Sequence, residues 1–191
     1  MTVEELATAV LNACDAEGID HMVTGAFAVS FYGIPRSTKD VDVLLSVTGG
    51  DPIWRVVSRL EPIVEFDSQV QFDTLTWGRR LVGTTRHSPP LNVELFELFD
   101  DAFVQSQFGR RQQRFSKQLG RATWLPTPED VVVQKLRWGR NKDLDDARDV
   151  LAVQGPETLD TAYIEKWCSQ HGTMDRLRAA LAGIPPLDSE S

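Results

Sequence analysis

The chain has 191 residues, 41% of them hydrophobic and 25% charged, with 20 basic against 28 acidic side chains and a net charge of −8. That length suits one domain, or a compact domain with a helical extension, and the ordinary composition excludes general disorder. The acidic excess excludes a wholly electrostatic nucleic-acid binder, because counterion release needs a positive face.

Thr2 followed by Glu5 reads as a capping box, and Leu6, Ala9, Val10 and Ala13 recur at helical spacing, which predicts a first helix ending near Gly18. Ile19 to Thr24 reads as a strand, and Gly25 to Tyr32 as a short helix stopped by Gly33 and Pro35. A second strand opens at Asp40. After Gly49-Gly50-Asp51-Pro52 a helix is expected from Ile53 to Leu60, with Asp51 as cap and Pro52 in the first turn. From Val64 the texture turns to alternating segments, Ser68 to Phe72, Arg80 to Thr85 and Leu91 to Leu98, with His87-Ser88-Pro89-Pro90 as a hairpin turn. The polar, basic stretch from Gln105 to Trp124 reads as one or two exposed strands about Gly120-Arg121. Thr127-Pro128-Glu129-Asp130 is the clearest helix start, opening Val131 to Trp138. Asp143 is expected to cap a further helix through Val153, followed by helices Leu159 to Ser169 and Met174 to Leu181, with a frayed tail from Pro185. The two cysteines, Cys14 and Cys168, have no ligand-spaced neighbour and read as thiols in a reducing compartment. No apolar run approaches the ~20 residues that span a bilayer, and Thr2-Val3-Glu4-Glu5 lacks signal-peptide character, so a cytoplasmic location without membrane partners is expected.

The informative stretch is His21 to Val47. Alternate strand residues share a face, so Asp40 and Asp42 point one way while Val41, Val43 and Leu45 point the other. Two neighbouring carboxylates repel unless a cation lies between them, and a hard divalent ion such as magnesium suits oxygen donors. These aspartates open their strand, behind Arg36-Ser37-Thr38-Lys39, whereas the haloacid dehalogenase type and many sugar-nucleotide transferases carry Asp-x-Asp at the C-terminal end of an apolar strand. Upstream, the helix starting at Gly25-Ala26 offers exposed N–H groups and little bulk, a place for a phosphate. The histidines show no metal spacing. Neither a Gly-x-Ser-x-Gly nor a Walker-type loop occurs.

Gly25-Ala26 at a helix start, followed by Arg-x-Thr-x-Asp-x-Asp at 36 to 42, resembles the nucleotidyltransferase superfamily that includes DNA polymerase β. The likeness is greatest to the small bacterial branch of type IV abortive-infection toxins and antibiotic nucleotidyltransferases. Pro128-Glu129-Asp130, Lys135-Leu136, Arg140 and Lys142-Asp143-Leu144-x-Asp146 resemble a series in the same branch. The likeness covers most of residues 20 to 153. Ala26 departs from the usual Gly-Gly or Gly-Ser, and Glu94 from the commoner aspartate.

The resemblance implies an α/β core at 1–125, a small mixed twisted sheet flanked by helices, with a helical extension at 126–184 packed on it and a disordered tail at 185–191. It implies a catalytic carboxylate set of Asp40, Asp42 and Glu94 holding one or two magnesium ions. Glu94 sits in a Val-Glu-Leu context on the face of Asn92, and Glu97 falls on the other face. Nucleotide-binding candidates are Gly25, Ala26, Arg36, Thr38 and Lys135, with Lys39 beside them. The implied reaction moves a nucleoside monophosphate from a nucleoside triphosphate such as ATP to an acceptor hydroxyl, releasing pyrophosphate. The residues leave open whether a small molecule, a protein or a tRNA carries that hydroxyl. The alternative is a catalytically degenerate binding module or toxin-antitoxin component, with an antitoxin or a second copy as partner. Arg140, Asp143 and Asp146 read as a structural cluster joining two helices, and Arg110, Arg111, Arg114, Lys117 and Arg121 as a basic concentration on a solvated face or a polyanion-binding one.

Overall fold

The computed structural model describes residues 1–47, 52–73 and 78–185. The expected Asp51 cap, the Gly49-Gly50 turn and the tail from residue 186 lie outside the described residues. The protein is a mixed α/β fold whose contacts divide into two units, Met1–Ala28 with Arg36–Pro126, and Val29–Pro35 with the chain from Thr127.

In the first unit, α1 (Val3–Ala16) starts on the expected capping box: Glu5 N–H donates to Thr2 Oγ1 at 3.2 Å and Thr2 N–H to Glu5 Oε2 at 2.8 Å. Leu6, Val10, Leu11 and Cys14 on its apolar stripe are fully buried. β1 (His21–Val23) leads into α2 (Gly25–Tyr32), whose start belongs to this unit and whose end belongs to the other. β2 (Asp40–Leu45) follows, then α3 (Pro52–Leu60), which packs Ile53, Val56, Val57 and Leu60 inward and lies against α1.

β3 (Val64–Phe66), β4 (Gln71–Phe72), β5 (Arg79–Thr85) and β6 (Asn92–Glu97) complete a sheet of order β1-β2-β6-β5-β3, with β4 also on β5. β2 and β6 are parallel, and the other pairs antiparallel. Alternation gives this sheet two characters. Val41, Val43, Val93 and Leu95 are fully buried on one face, while Asp40, Asp42, Asn92 and Glu94 are half-buried on the other. Each such side chain removed from water contributes roughly 1.5–3 kcal/mol, which fixes the register: a one-residue slip would turn the valines out and the carboxylates in.

The Gln105 to Trp124 stretch differs from expectation. Its first part is α4 (Ala102–Gly109), capped by Asp101, whose carboxylate accepts from Phe103 and Val104 N–H at 3.1 and 3.0 Å. Phe103, Val104 and Phe108 anchor it in the core, so tertiary burial overrides a polar sequence. The ribbon β7 (Gln112–Ser116) and β8 (Arg121–Leu125) follows, turning at Gly120 as expected, with β8 against β1.

Among the described residues the second unit holds the end of α2 and four further α-helices. α5 (Pro128–Trp138) carries the β-branched run Val131-Val132-Val133, poor for a helix, yet its ends are strongly specified. Thr127 Oγ1 accepts from Asp130 N–H at 3.3 Å, and Gly139 closes the other end at φ 67°. Arg176 donates there to the Leu136 and Arg137 carbonyls at 2.7 and 3.1 Å. α6 (Asn141–Gln154) begins three residues earlier than expected. Arg140, not Asp143, is its cap residue, and Asp143 sits at the third helical position, where it accepts from Arg140 N–H at 3.3 Å. A short 3-10 turn, Pro156–Thr158, leads to α7 (Thr161–His171) and α8 (Met174–Ala182). Both cysteines are fully buried. Burial, with the neighbouring Asp15 carboxylate, pushes the Cys14 thiol up to about 12, which keeps it protonated and inert. No helix among the described residues is long and apolar enough to cross a membrane.

Candidate active site

Strand register assembles the candidate site. The antiparallel β1–β2 ladder pairs Val23 with Val43, and one step further Thr24 N–H donates to the Asp42 carbonyl at 2.9 Å. The chain then turns through Gly25, at φ 61°, into α2. Gly25 lies so close to the Asp42 carboxylate that a methyl group on its Cα would collide with it. Glycine is therefore required twice over here, by backbone conformation and by space. On the other side of β2, the parallel ladder sets Asp40 beside Asn92 and Asp42 beside Glu94. Asn92 Nδ2 donates to Asp40 Oδ1 at 2.9 Å and so orients that carboxylate.

The remaining candidates fall in different places. Ala26 is 5% exposed, its methyl in the core, so only its backbone faces a ligand. Thr38 turns back on the strand start: its Oγ1 accepts from Asp40 N–H at 3.1 Å. It serves the placement of Asp40 before any phosphate. Arg36 and Lys39 are exposed on the segment before β2. Glu97 pairs with Arg79 at 3.2 Å on the opposite face from Glu94. Lys135 belongs to the second unit, where its Nζ is held by Asp143 at 3.2 Å and Asp146 at 2.8 Å and lies over the Trp138 ring. It is 3% exposed and joins the Arg140, Asp143, Asp146 cluster expected to be structural. Burial pushes the Asp143 carboxyl up, but the Arg140 hydrogen bond and the Lys135 charge outweigh it, and the group lies below the ordinary carboxylate range.

Arg80 is the residue that sequence reasoning missed. Its Nη1 donates to Glu94 Oε2 at 2.8 Å, its Nη2 to Gln71 Oε1 at 3.4 Å, and its guanidinium lies 5.9 Å from the Phe96 ring centroid. The β5–β6 register puts Val82 directly across from Glu94, with Arg80 one diagonal step away on the same face. Alternation within Arg80 to Thr85 was visible, but register against β6 was not.

The donor set suits a hard divalent cation. Asp40 and Asp42 share a face of one strand, and Glu94 stands in register on the next. Among the described residues no three carboxylate, histidine or cysteine groups are gathered closely enough to hold a metal, and Glu94 is engaged by Arg80.

This sheet order, with paired carboxylates opening β2 and a glycine-started helix before it, is a nucleotidyltransferase fold. Solved structures of that class match nearly the whole chain. The antibiotic-resistance factor ANT(2'')-Ia aligns with a TM-score of 0.57 at 13% identity, covering 94% of each chain. An antigenic nucleotidyltransferase-like protein from Paracoccidioides brasiliensis aligns with a TM-score of 0.56 at 19% identity, covering 94% of this chain and 91% of that one. The lincosamide antibiotic adenylyltransferase LnuA, solved with lincomycin bound, gives 0.51 at 14% identity, with 80% and 98% covered. No protein-family model and no curated protein sequence matches the chain. The likeness is therefore one of fold.

Proposed function

We propose that the protein is a metal-dependent nucleotidyltransferase, moving a nucleoside monophosphate from a nucleoside triphosphate to an acceptor hydroxyl. The observation that carries this reading is the contact of Gly25 with the Asp42 carboxylate, which brings a helix start against a carboxylate pair with Glu94 in register beside it. A helix start whose N–H donors lie against a carboxylate pair suits joint occupation by a cation and a phosphate.

In this reading Asp40, Asp42 and Glu94 hold the magnesium, Asn92 keeps Asp40 oriented, and the backbone at Gly25-Ala26 receives the triphosphate. Arg36 and Lys39 offset its remaining charge. Bound magnesium supplies charge neutralisation at the phosphate oxygens. The acceptor hydroxyl attacks the α-phosphorus, the α–β anhydride bond breaks with its electron pair going to pyrophosphate, and a carboxylate of the set takes the hydroxyl proton. The antibiotic acceptors named for two of the similar structures make a small polyhydroxylated molecule the first acceptor class to screen. ATP is the first donor.

Calorimetric titration of each nucleoside triphosphate, with and without magnesium, tests the proposal on wild type and on Asp40→Asn/Asp42→Asn. Magnesium-dependent binding that the double variant loses is the expected result. Asp42→Asn alone should lower triphosphate turnover by at least about a hundredfold while the thermal midpoint holds. Unchanged turnover would remove the carboxylate set. The pairing of Glu94 with Arg80 favours one second reading, a degenerate module that binds a protein partner such as an antitoxin or another copy of the chain. Absence of nucleotide binding under every condition would select it.

A further inference from the structure

We infer that Arg80 is a positioning residue that holds Glu94 away from the metal site until a divalent cation displaces it, and so sets the affinity of that site. The inference rests on the nucleotidyltransferase reading and deepens it. Glu94 and Arg80 are both about three-quarters buried, at 24% and 26% exposure, and are joined at 2.8 Å. At that depth a charge-assisted hydrogen bond is stronger than on the surface, and neither partner leaves without a replacement. The replacement for Glu94 is the cation beside Asp42, its register neighbour.

Arg80 has a seat of its own. Phe96 lies under the guanidinium, and Gln71 accepts from Nη2. Its Nε is buried and meets no hydrogen-bond acceptor among the described residues. An arginine placed only to fasten two strands would spend that donor. One that exchanges partners needs anchoring independent of Glu94, and Phe96 with Gln71 supplies it.

The cation therefore competes with a guanidinium for the third carboxylate. Removing Arg80 should tighten cation binding, and the gain should pass through Glu94. A plain field effect acts as well: β5 lies two strand spacings from β2, roughly 10 Å, where removing a unit charge tightens a divalent ion by about fourfold even in bulk water, and it acts whether or not Glu94 is charged. Release of the half-buried ion pair adds a further gain of about five- to tenfold that requires the Glu94 carboxylate.

The experiment is a titration of Mn²⁺ alone, read by the loss of its free-ion resonance signal, on wild type, Arg80→Gln, Glu94→Gln and the double variant. The expected result is tighter binding in Arg80→Gln whose gain exceeds, by about five- to tenfold, the gain from the same substitution made in Glu94→Gln. Unchanged or weaker binding in Arg80→Gln overturns the inference, as does an equal gain in both backgrounds. Should Arg80→Gln fail to fold, Arg80→Met, which keeps an apolar stem against Phe96 but no charge, takes its place in the same comparison, and binding no tighter than wild type would overturn the inference. Mn²⁺ binding that is abolished by Asp40→Asn/Asp42→Asn but indifferent to Arg80 leaves the nucleotidyltransferase reading standing and removes this one. No Mn²⁺ binding in any variant removes both.

Discussion

Two glycines separate backbone strain from active-site crowding. Gly18 and Gly25 both hold positive φ, at 63° and 61°, yet a Cβ at Gly18 meets nothing within 4 Å, whereas one at Gly25 runs into Asp42. Gly18→Ala should therefore cost only the left-handed backbone, about 1 kcal/mol, and leave ligand binding unchanged. Gly25→Ala adds a collision with a carboxylate, for a total of roughly 2–3 kcal/mol, and should abolish magnesium-dependent triphosphate binding by displacing Asp42. Thermal melts and calorimetry on the two variants check this. Equal binding by both would mean that Gly25 serves the turn and not the site. Gly25 was legible in the sequence as the residue where a strand becomes a helix. Its contact with Asp42 was not, because that depends on the β1–β2 register, which no local pattern encodes.

At the level of elements, α5 and α6 are joined by buried charge. Lys135 sits between Asp143 and Asp146, all three at or below 4% exposure, and Arg140 reaches Asp143 from outside. Lys135→Met would remove the buried cation shared by Asp143 and Asp146, leaving Arg140 as the arginine on Asp143, and should cost about 3–5 kcal/mol, whereas Lys135→Met combined with Asp143→Asn and Asp146→Asn should recover much of it. Denaturant unfolding of the two variants measures the difference. The pH dependence follows from the lowered Asp143. A carboxyl depressed in the folded state contributes stability that is fully present above its unfolded value, about 3.9, and is lost as pH falls through the lower folded value. Helicity should thus hold at about pH 5 and give way below about 4, with a shallower acid dependence in Asp143→Asn by circular dichroism. The helices were legible here because caps are local: Thr127, Pro128 and Gly139 act within one turn of the backbone they terminate. The placement of Lys135 was less so. A lysine on the apolar run Val131 to Leu136 reads as snorkelling to the rim or as aimed into the cleft, with the resemblance favouring the cleft, and only the packing of α6 shows its buried carboxylate partners. α4 went unseen because its capping Asp101 and buried Phe103 and Val104 precede the stretch read as polar strands, so the four-residue spacing of Val104 and Phe108 was cut off.

For the molecule as a whole, charge bears on which acceptor the proposed transfer would use. The net charge is −8, and the one basic concentration is largely committed internally. Arg121 pairs with Asp15 at 2.6 Å, and Arg111 with Asp20 at 3.4 Å while stacking on Phe108 and Trp124. These contacts tie the β7–β8 ribbon and α4 to the end of α1 and the start of β1. Arg114 and Lys117 remain exposed on the ribbon. Two phosphate contacts give a salt slope of only about −2, against a repulsive background, which is too little for non-specific binding at physiological ionic strength. Fluorescence anisotropy with a labelled duplex and a labelled single strand should therefore show no binding below about 100 µM protein at ~150 mM salt. Micromolar binding with a steep salt dependence would restore a polyanionic acceptor, and Arg114→Glu/Lys117→Glu should then abolish it. The expected flat titration leaves a tRNA acceptor without its electrostatic contribution. It then favours an acceptor recognised by hydroxyl placement beside the carboxylates, for which a small polyhydroxylated molecule is enough.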